Sequence, residues 1–141
     1  MVEVGIKGRE IECAVLEIDG VATPSILGEI KVHGPHEFYD FEAKYLDSAT
    51  NVVVPADIKR GVAIQQAAIA AFKALGCSGL ARVDFFYTSD DQIIINELNT
   101  APGFTSTSVY PKLWAASGLS YTEIITALIE TAQRRTNSVL N

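Results

Sequence analysis

Cysteine and histidine are nearly missing from this sequence: two of each occur in 141 residues. Cys13 and Cys77 show no C-x-x-C spacing and are too few for a disulfide framework, so both read as small buried apolar residues. His33 and His36 have H-x-x-H spacing but enclose Gly34-Pro35, a turn signal that favours a loop over a metal pair. Long apolar runs are lacking too. None approaches the ~18 residues that a membrane span needs, and Met1 is followed by neither a basic leader nor an apolar signal core, so the expected setting is cytoplasmic. Positive charge is in the minority, 11 Lys and Arg against 17 Asp and Glu, and the net charge of −6 speaks against a general nucleic-acid or membrane surface. A nucleotide pocket can still be locally basic. No internal repeat or low-complexity tract is present. The remainder, 48% hydrophobic and 20% charged, suits a single globular domain with its own core.

The most informative stretch runs from Leu80 to Ser108, LARVDFFYTSDDQIIINELNTAPGFTSTS. Two alternating runs flank a polar turn at Ser89, Asp90 and Asp91, the pattern of a β-hairpin. Side chains in a strand repeat every second residue, so Arg82, Asp84 and Phe86 share one face, and Ile95, Glu97 and Asn99 share a face on the returning strand. An even-length loop centred between Asp90 and Asp91 sets Asp84 opposite Glu97 and Arg82 opposite Asn99. The two carboxylates then lie about 5 Å apart at Cβ, and like charges in that position destabilise a sheet. A divalent cation removes the conflict. Asp84, Glu97 and Asn99 offer only oxygen, which suits a hard ion shared with phosphate, magnesium above all. Arg82, one pleat along, is a fixed positive charge for a phosphate or a developing oxyanion. The bland alternative is a solvated strand face. Against it, Asn99 runs into a turn-forming Pro102-Gly103 and then small hydroxyl residues, a loop whose backbone N–H groups are able to face an anion.

This segment, ARVDFF…INELNTAPGFTSTSVYP, resembles the carboxy-terminal core of D-alanine–D-alanine ligases, members of the ATP-grasp superfamily. These are marked by R-x-D on one strand, E-x-N-T-x-P-G on the next, and a serine-containing loop. The resemblance implies magnesium (or manganese) held by Asp84, Glu97 and Asn99, an oxyanion stabilised by Arg82 and the Gly103 N–H, and a second D-alanine whose carboxylate meets Ser108 and Val109. The opening VEVGIKGREIECAVL looks like the ligase segment that lines the adenine pocket. Glu3 and Ile6 match adenine-contacting positions, Glu10 matches the ribose-binding acid, and Phe86 is counted with the nucleotide-binding positions. FYDFEAKY is similar to the mobile ligase loop, with Lys44 at the lysine that reaches the ATP phosphates and Tyr45 at a tyrosine bounding the D-alanine site. The chain is expected to begin in mid-domain, with residues 1–141 the carboxy-terminal part of an ATP-grasp domain.

Elsewhere the elements are ordinary. Asp19-Gly20 joins strands over Arg9–Ile18 and roughly Val21–Val32. A helix is predicted from about Asp57, its N-cap, to Leu75, with Ile58, Val62, Ile69, Phe72 and Leu75 as its apolar stripe and Gly76 as its stop. Pro111 at an N1-like position starts a short helix closed by Gly118. Ser120 to Glu123 is a capping box for a last helix, with Ile124, Ile125, Leu128, Ile129 and Ala132 as its buried face, Arg134 and Arg135 at its end and a frayed tail from about residue 136. The expected fold is α+β, a mostly antiparallel sheet with two long helices packed on one face.

The resemblance implies an ATP-dependent ligation of two D-alanines for peptidoglycan precursors, with the substrates ATP and D-alanine, no nucleic acid, no membrane, and a homodimer for the complete enzyme. Contacts from the other lobe have no counterpart in this chain, so by itself it is expected to show little or no activity. Two other readings stay open: a non-catalytic magnesium or nucleotide-binding module, and an ATP-grasp ligase for another amino acid.

Overall fold

A computed structural model describes residues 4–32 and 50–135. Five strands, β1 (Arg9–Ile18), β2 (Val21–Val32), β3 (Thr50–Val53), β4 (Leu80–Tyr87) and β5 (Ile93–Asn99), form one sheet in the order β3-β2-β1-β4-β5. Every neighbouring pair is antiparallel. Among the described residues three helices accompany it: α1 (Gly61–Ala74), α2 (Val109–Ala116) and α3 (Tyr121–Arg134). The α+β, antiparallel expectation holds.

The first hairpin follows from its turn. Asp19 and Gly20 both have positive φ, 51° and 78°, the left-handed pair that joins two twisted strands with least splay. β1 then occupies the middle of the sheet and is buried from Ile11 to Leu16 on both faces. Ile11, Cys13 and Val15 meet Leu27, Val83 and Phe85 under Ile64, Ala68 and Phe72 of α1. Ala14 and Leu16 face the other way, into a second core built by Tyr110, Leu113 and Trp114 of α2 and Ile124 of α3. The long helices therefore lie on opposite faces, not on one. The reason is legible in β1, whose second half is apolar on both sides and needs a cover over each.

Two helix boundaries and two stripes also differ from expectation. α1 begins at Gly61 with Arg60 as N-cap and no side-chain cap, so Asp57 sits in the approach to the helix. Its buried stripe is Ile64, Ala68 and Phe72, whereas Val62 and Leu75 stand 68% and 67% exposed. Its end is as predicted: Gly76, at φ 64°, donates its N–H to Lys73 O, and Cys77 N–H reaches Phe72 O, the paired closure of a Schellman motif. α2 starts at Val109, which puts Pro111 in its third position, where the missing N–H still costs nothing. The Ser120–Glu123 capping box is formed. In α3 only Ile124 and Thr131 are fully buried, and Ile125 and Ile129 are exposed, since α3 packs on β1 and α2 along a narrow stripe.

At Cys13–Val15 the β1/β2 register shifts. The irregularity is stitched by side chains: Ala14 N–H donates to the buried Ser25 Oγ at 3.0 Å, Gln65 of α1 donates to Ser25 O at 2.7 Å, and Ile26 N–H donates to Ser117 Oγ at 2.9 Å. Both helical layers are thereby tied to β2 by partly buried polar bonds. Among the described residues no helix is long and apolar enough to cross a membrane.

Candidate functional site

The face of β1 and β4 that carries Ala14 and Leu16 into the second core continues, past the edge of α2, as a polar strip. β1 contributes Glu10 and Glu12, which lie opposite Phe86 and Asp84 of β4. β4 in turn pairs Asp84 with Glu97 and Arg82 with Asn99 of β5, the two pairings expected from the sequence. They are reached by a different route. The turn spans Thr88–Gln92 with Asp91 at φ 62°, and the register slips between Asp84 and Phe85, leaving Asn96 as the extra residue. Ile95 consequently pairs with Phe85 and does not share the face of Glu97 and Asn99.

Arg82 is fixed within this strip. Its Nε donates to Asp84 Oδ1 at 2.8 Å and its Nη2 to Asp84 Oδ2 at 2.7 Å, a two-pronged ion pair with both side chains about seven-eighths buried. Glu12, 2% exposed, brings Oε2 to 3.3 Å from the same Nε. Three acids, Glu12, Asp84 and Glu97, thus hold adjacent positions on three neighbouring strands, with Arg82 touching the first two. Glu97 lies at the exposed end of the row. Burying carboxylates is costly without a positive partner, and Arg82 supplies one to Glu12 and Asp84.

Beyond β5 the chain turns back at once. Asn99 Oδ1 accepts the N–H of Ala101 at 2.9 Å, and Ser108 N–H closes a turn on Thr105 O at 3.0 Å. Ser108 is the N-cap of α2 in position but not in bonding, since its Oγ accepts from Thr105 N–H at 3.0 Å instead of capping the helix. It also lies against Gly103, where an added Cβ would stand 2.9 Å from Ser108 Oγ. Gly103, Ser108 and Val109, the first residue of α2, are therefore adjacent. From below, Tyr121 Oη donates to Phe104 O at 2.9 Å, and the Phe104 ring sits between Tyr110 and Tyr121.

The structure brings together Glu10, Arg82, Asp84, Phe86, Glu97 and Asn99 on one strip and Gly103, Ser108 and Val109 in the following loop. Ile6 precedes β1 and is 39% exposed. Glu3, Lys44 and Tyr45 lie outside the described residues. Among the described residues no group of three or more His, Cys, Asp and Glu side chains is arranged to hold a metal. The expected set requires only two acids, Asp84 and Glu97, and its oxygen-only chemistry fits a hard divalent ion whose other ligands are water and phosphate. Glu12 was not singled out from the sequence. The signal was present: it shares a strand face with Glu10 and precedes Ala14 and Leu16 on that face, so it enters the core.

Comparison with solved structures defines the class. The D-alanine-D-alanine ligase of Coxiella burnetii superposes with a TM-score of 0.76 at 44% identity, over 92% of this chain and 33% of that one. A D-alanine–D-alanine ligase from Bacillus anthracis, complexed with ATP, gives 0.71 at 30% over 92% and 40%. VanG D-Ala:D-Ser ligase from Enterococcus faecalis gives 0.76 at 41% over 90% and 37%. The fold is that of the D-alanine ligases. Residues 1–130 match the family described as D-ala D-ala ligase C-terminus, and the chain belongs to that family. Among curated relatives, the D-alanine–D-alanine ligase of Arthrobacter sp. (strain FB24) is 55% identical over 96% of this chain and 37% of its own length. That of Streptomyces coelicolor is 48% identical over 96% and 35%. The chain thus spans a little over a third of the relatives it matches.

Proposed function

We propose that this chain is the carboxy-terminal part of a D-alanine–D-alanine ligase, and that the Arg82–Asp84–Glu97–Asn99 strip is where ATP phosphates and a divalent cation meet the reacting carboxylate. The reaction joins two D-alanines for peptidoglycan precursors: ATP phosphorylates the first carboxylate, the second amine attacks the acyl phosphate, and phosphate leaves. The observation that carries the reading is the opposition of Asp84 and Glu97 beside a clamped guanidinium, at the start of a loop that ends on the α2 N-terminus.

Each stage concentrates negative charge, so the work of the protein is positioning and electrostatics. Asp84, Glu97 and Asn99 would hold magnesium, or manganese, whose contribution is to neutralise phosphate charge. Arg82, held by Asp84 through two of its nitrogens, would direct its guanidinium charge to the tetrahedral oxyanion together with the Gly103 N–H. Because Ser108 spends its Oγ within the loop, the first turn of α2 keeps backbone N–H groups for the carboxylate of the second amino acid. Glu10 and Phe86, paired across β1 and β4, would meet the ribose and nucleotide, with Glu3 and Ile6 at adenine. Lys44 would reach the transferred phosphate and Tyr45 would bound the acceptor site.

The complete ligase is expected to work in the cytoplasm as a homodimer, with this chain alone nearly inactive because each missing contact to a charged group forfeits roughly 1.5–3 kcal/mol. A second reading concerns the acceptor, since a D-Ala:D-Ser ligase is among the structural relatives. Phosphate release by the complete ligase, assayed with D-alanine, D-serine and D-lactate as acceptors, decides between them. D-Alanine should give the highest rate, and the Glu97→Gln variant should lose it. A preference for another acceptor, or an undiminished rate in the variant, overturns the assignment, as does enzyme-like turnover by the 141-residue chain for its predicted inactivity.

A further inference from the structure

We propose that Glu12 is a positioning residue: a reserve counter-ion that keeps the Arg82 guanidinium in place when the charge of Asp84 is committed to a cation. The inference deepens the reading above and rests on it for the role of Asp84.

The geometry is specific. Arg82 Nε lies 2.8 Å from Asp84 Oδ1, to which it donates, and 3.3 Å from Glu12 Oε2. The two acids face each other across β1 and β4, so a small rotation about the last bonds of Arg82 re-aims Nε–H from one to the other. In the structure as described, Asp84 spends both carboxylate oxygens on Arg82. A ligand to a divalent ion cannot give the same lone pairs wholly to a guanidinium. Arg82 would then lose the two bonds that Asp84 gives it at the moment its direction matters, and a second anion beside it would keep it in place. Glu12 fills that place from the central strand, which is paired on both edges, with a side chain only 3% exposed. A carboxylate buried that deeply needs a charged partner, and the Arg82 guanidinium lies within reach of its Oε2.

The test is nuclear magnetic resonance of the 141-residue chain, following the Arg82 Nε–H signal and its exchange with water. A reserve predicts redundancy. Glu12→Gln alone and Asp84→Ala alone should each leave Arg82 Nε–H protected nearly as in the parent, whereas the double variant should exchange about tenfold faster, the loss of a bond to a charged group. Saturating magnesium should leave the parent protected and speed exchange in Glu12→Gln. Exchange in Glu12→Gln as fast as in the double variant would make Glu12 an ordinary structural partner and overturn the proposal. If Glu12→Gln fails to fold, Asp84→Ala alone decides: Arg82 must remain protected there, and about tenfold faster exchange refutes the reserve. Magnesium separates this failure from that of the underlying reading. No shift of the Asp84 or Glu97 carboxyl signals would remove the cation, and the proposal with it; a clear shift with Arg82 unaffected in Glu12→Gln would remove only the proposal.

Discussion

Gly28 is where a single methyl group should be felt throughout the second core. It lies on β2 opposite Glu12, beneath α2, and a Cβ there would stand 2.8 Å from Leu113 Cδ2 and 3.5 Å from both Val52 Cγ1 and Val54 Cγ2. Leu113 is fully buried beside Tyr110 and Trp114, so its Cδ2 has to withdraw among packed neighbours. Overpacking of this kind costs about 1–3 kcal/mol, and alanine returns roughly 0.5–1 kcal/mol by stiffening the unfolded chain, which leaves Gly28→Ala destabilised by about 1 kcal/mol and by no more than about 2.5 kcal/mol. For a domain of this size each kcal/mol corresponds to a fall in Tm of roughly 3–4 °C. Urea and thermal unfolding followed by circular dichroism measure it. Shortening the opposing side chain should reverse the effect. Leu113→Val alone should cost roughly 1 kcal/mol, yet the double variant should be more stable than the sum predicts by about 1 kcal/mol. A neutral Gly28→Ala, or strict additivity with Leu113→Val, would refute the claim that α2 is seated on a bare backbone at this point.

The remaining predictions concern the first core and the opposite face. Ile64→Ala should cost about 2–5 kcal/mol and Val62→Ala less than about 0.5 kcal/mol, since only the former is buried; equal effects in urea unfolding would contradict the position of α1. Arg9 binds Glu29 through two 2.8 Å bonds and holds its carboxyl below the usual carboxylate range. That stabilisation is therefore complete above the unfolded carboxyl's pKa and is lost as pH falls through the lowered, folded one. Glu29→Gln should cost about 1–2 kcal/mol at neutral pH, with Arg9 partly exposed and screened, and should flatten the loss of stability below about pH 4. An unchanged acid limb would count against it. Burial pushes the Cys13 thiol up to about 12, so a thiol reagent at pH 8 should reach it only at the rate of unfolding, and faster labelling of the native protein would contradict its place in the core.

Local rules carried most of the fold. The Asp19-Gly20 turn, the Gly76 closure and the Ser120–Glu123 box are each short-range signals with their own bonds, and each is found in place. What failed was arbitration between faces. α1 offers Val62 and Ile69 as well as Ile64 and Ala68, and the stripe that is buried is Ile64, Ala68 and Phe72. The helices divide between two faces because β1 is apolar on both, a fact about a central strand that a hairpin read in isolation does not disclose. At the site, the Asp84–Glu97 and Arg82–Asn99 pairings were legible because both are near in sequence, although the Asn96 bulge that secures them was not. Glu12 escaped notice because its partners, Arg82 and Asp84, are some seventy residues away and meet it only through the β1/β4 pairing.

The central claim is that the Asp84–Glu97 strip takes a cation together with nucleotide phosphate. Calorimetric titration of the chain with ATP, with and without magnesium, tests it most directly when repeated on the Asp84→Asn, Glu97→Gln double variant. Magnesium-dependent binding in the parent that disappears in a folded double variant is the predicted result. Binding that is indifferent to magnesium, or that survives both substitutions unchanged, would contradict it.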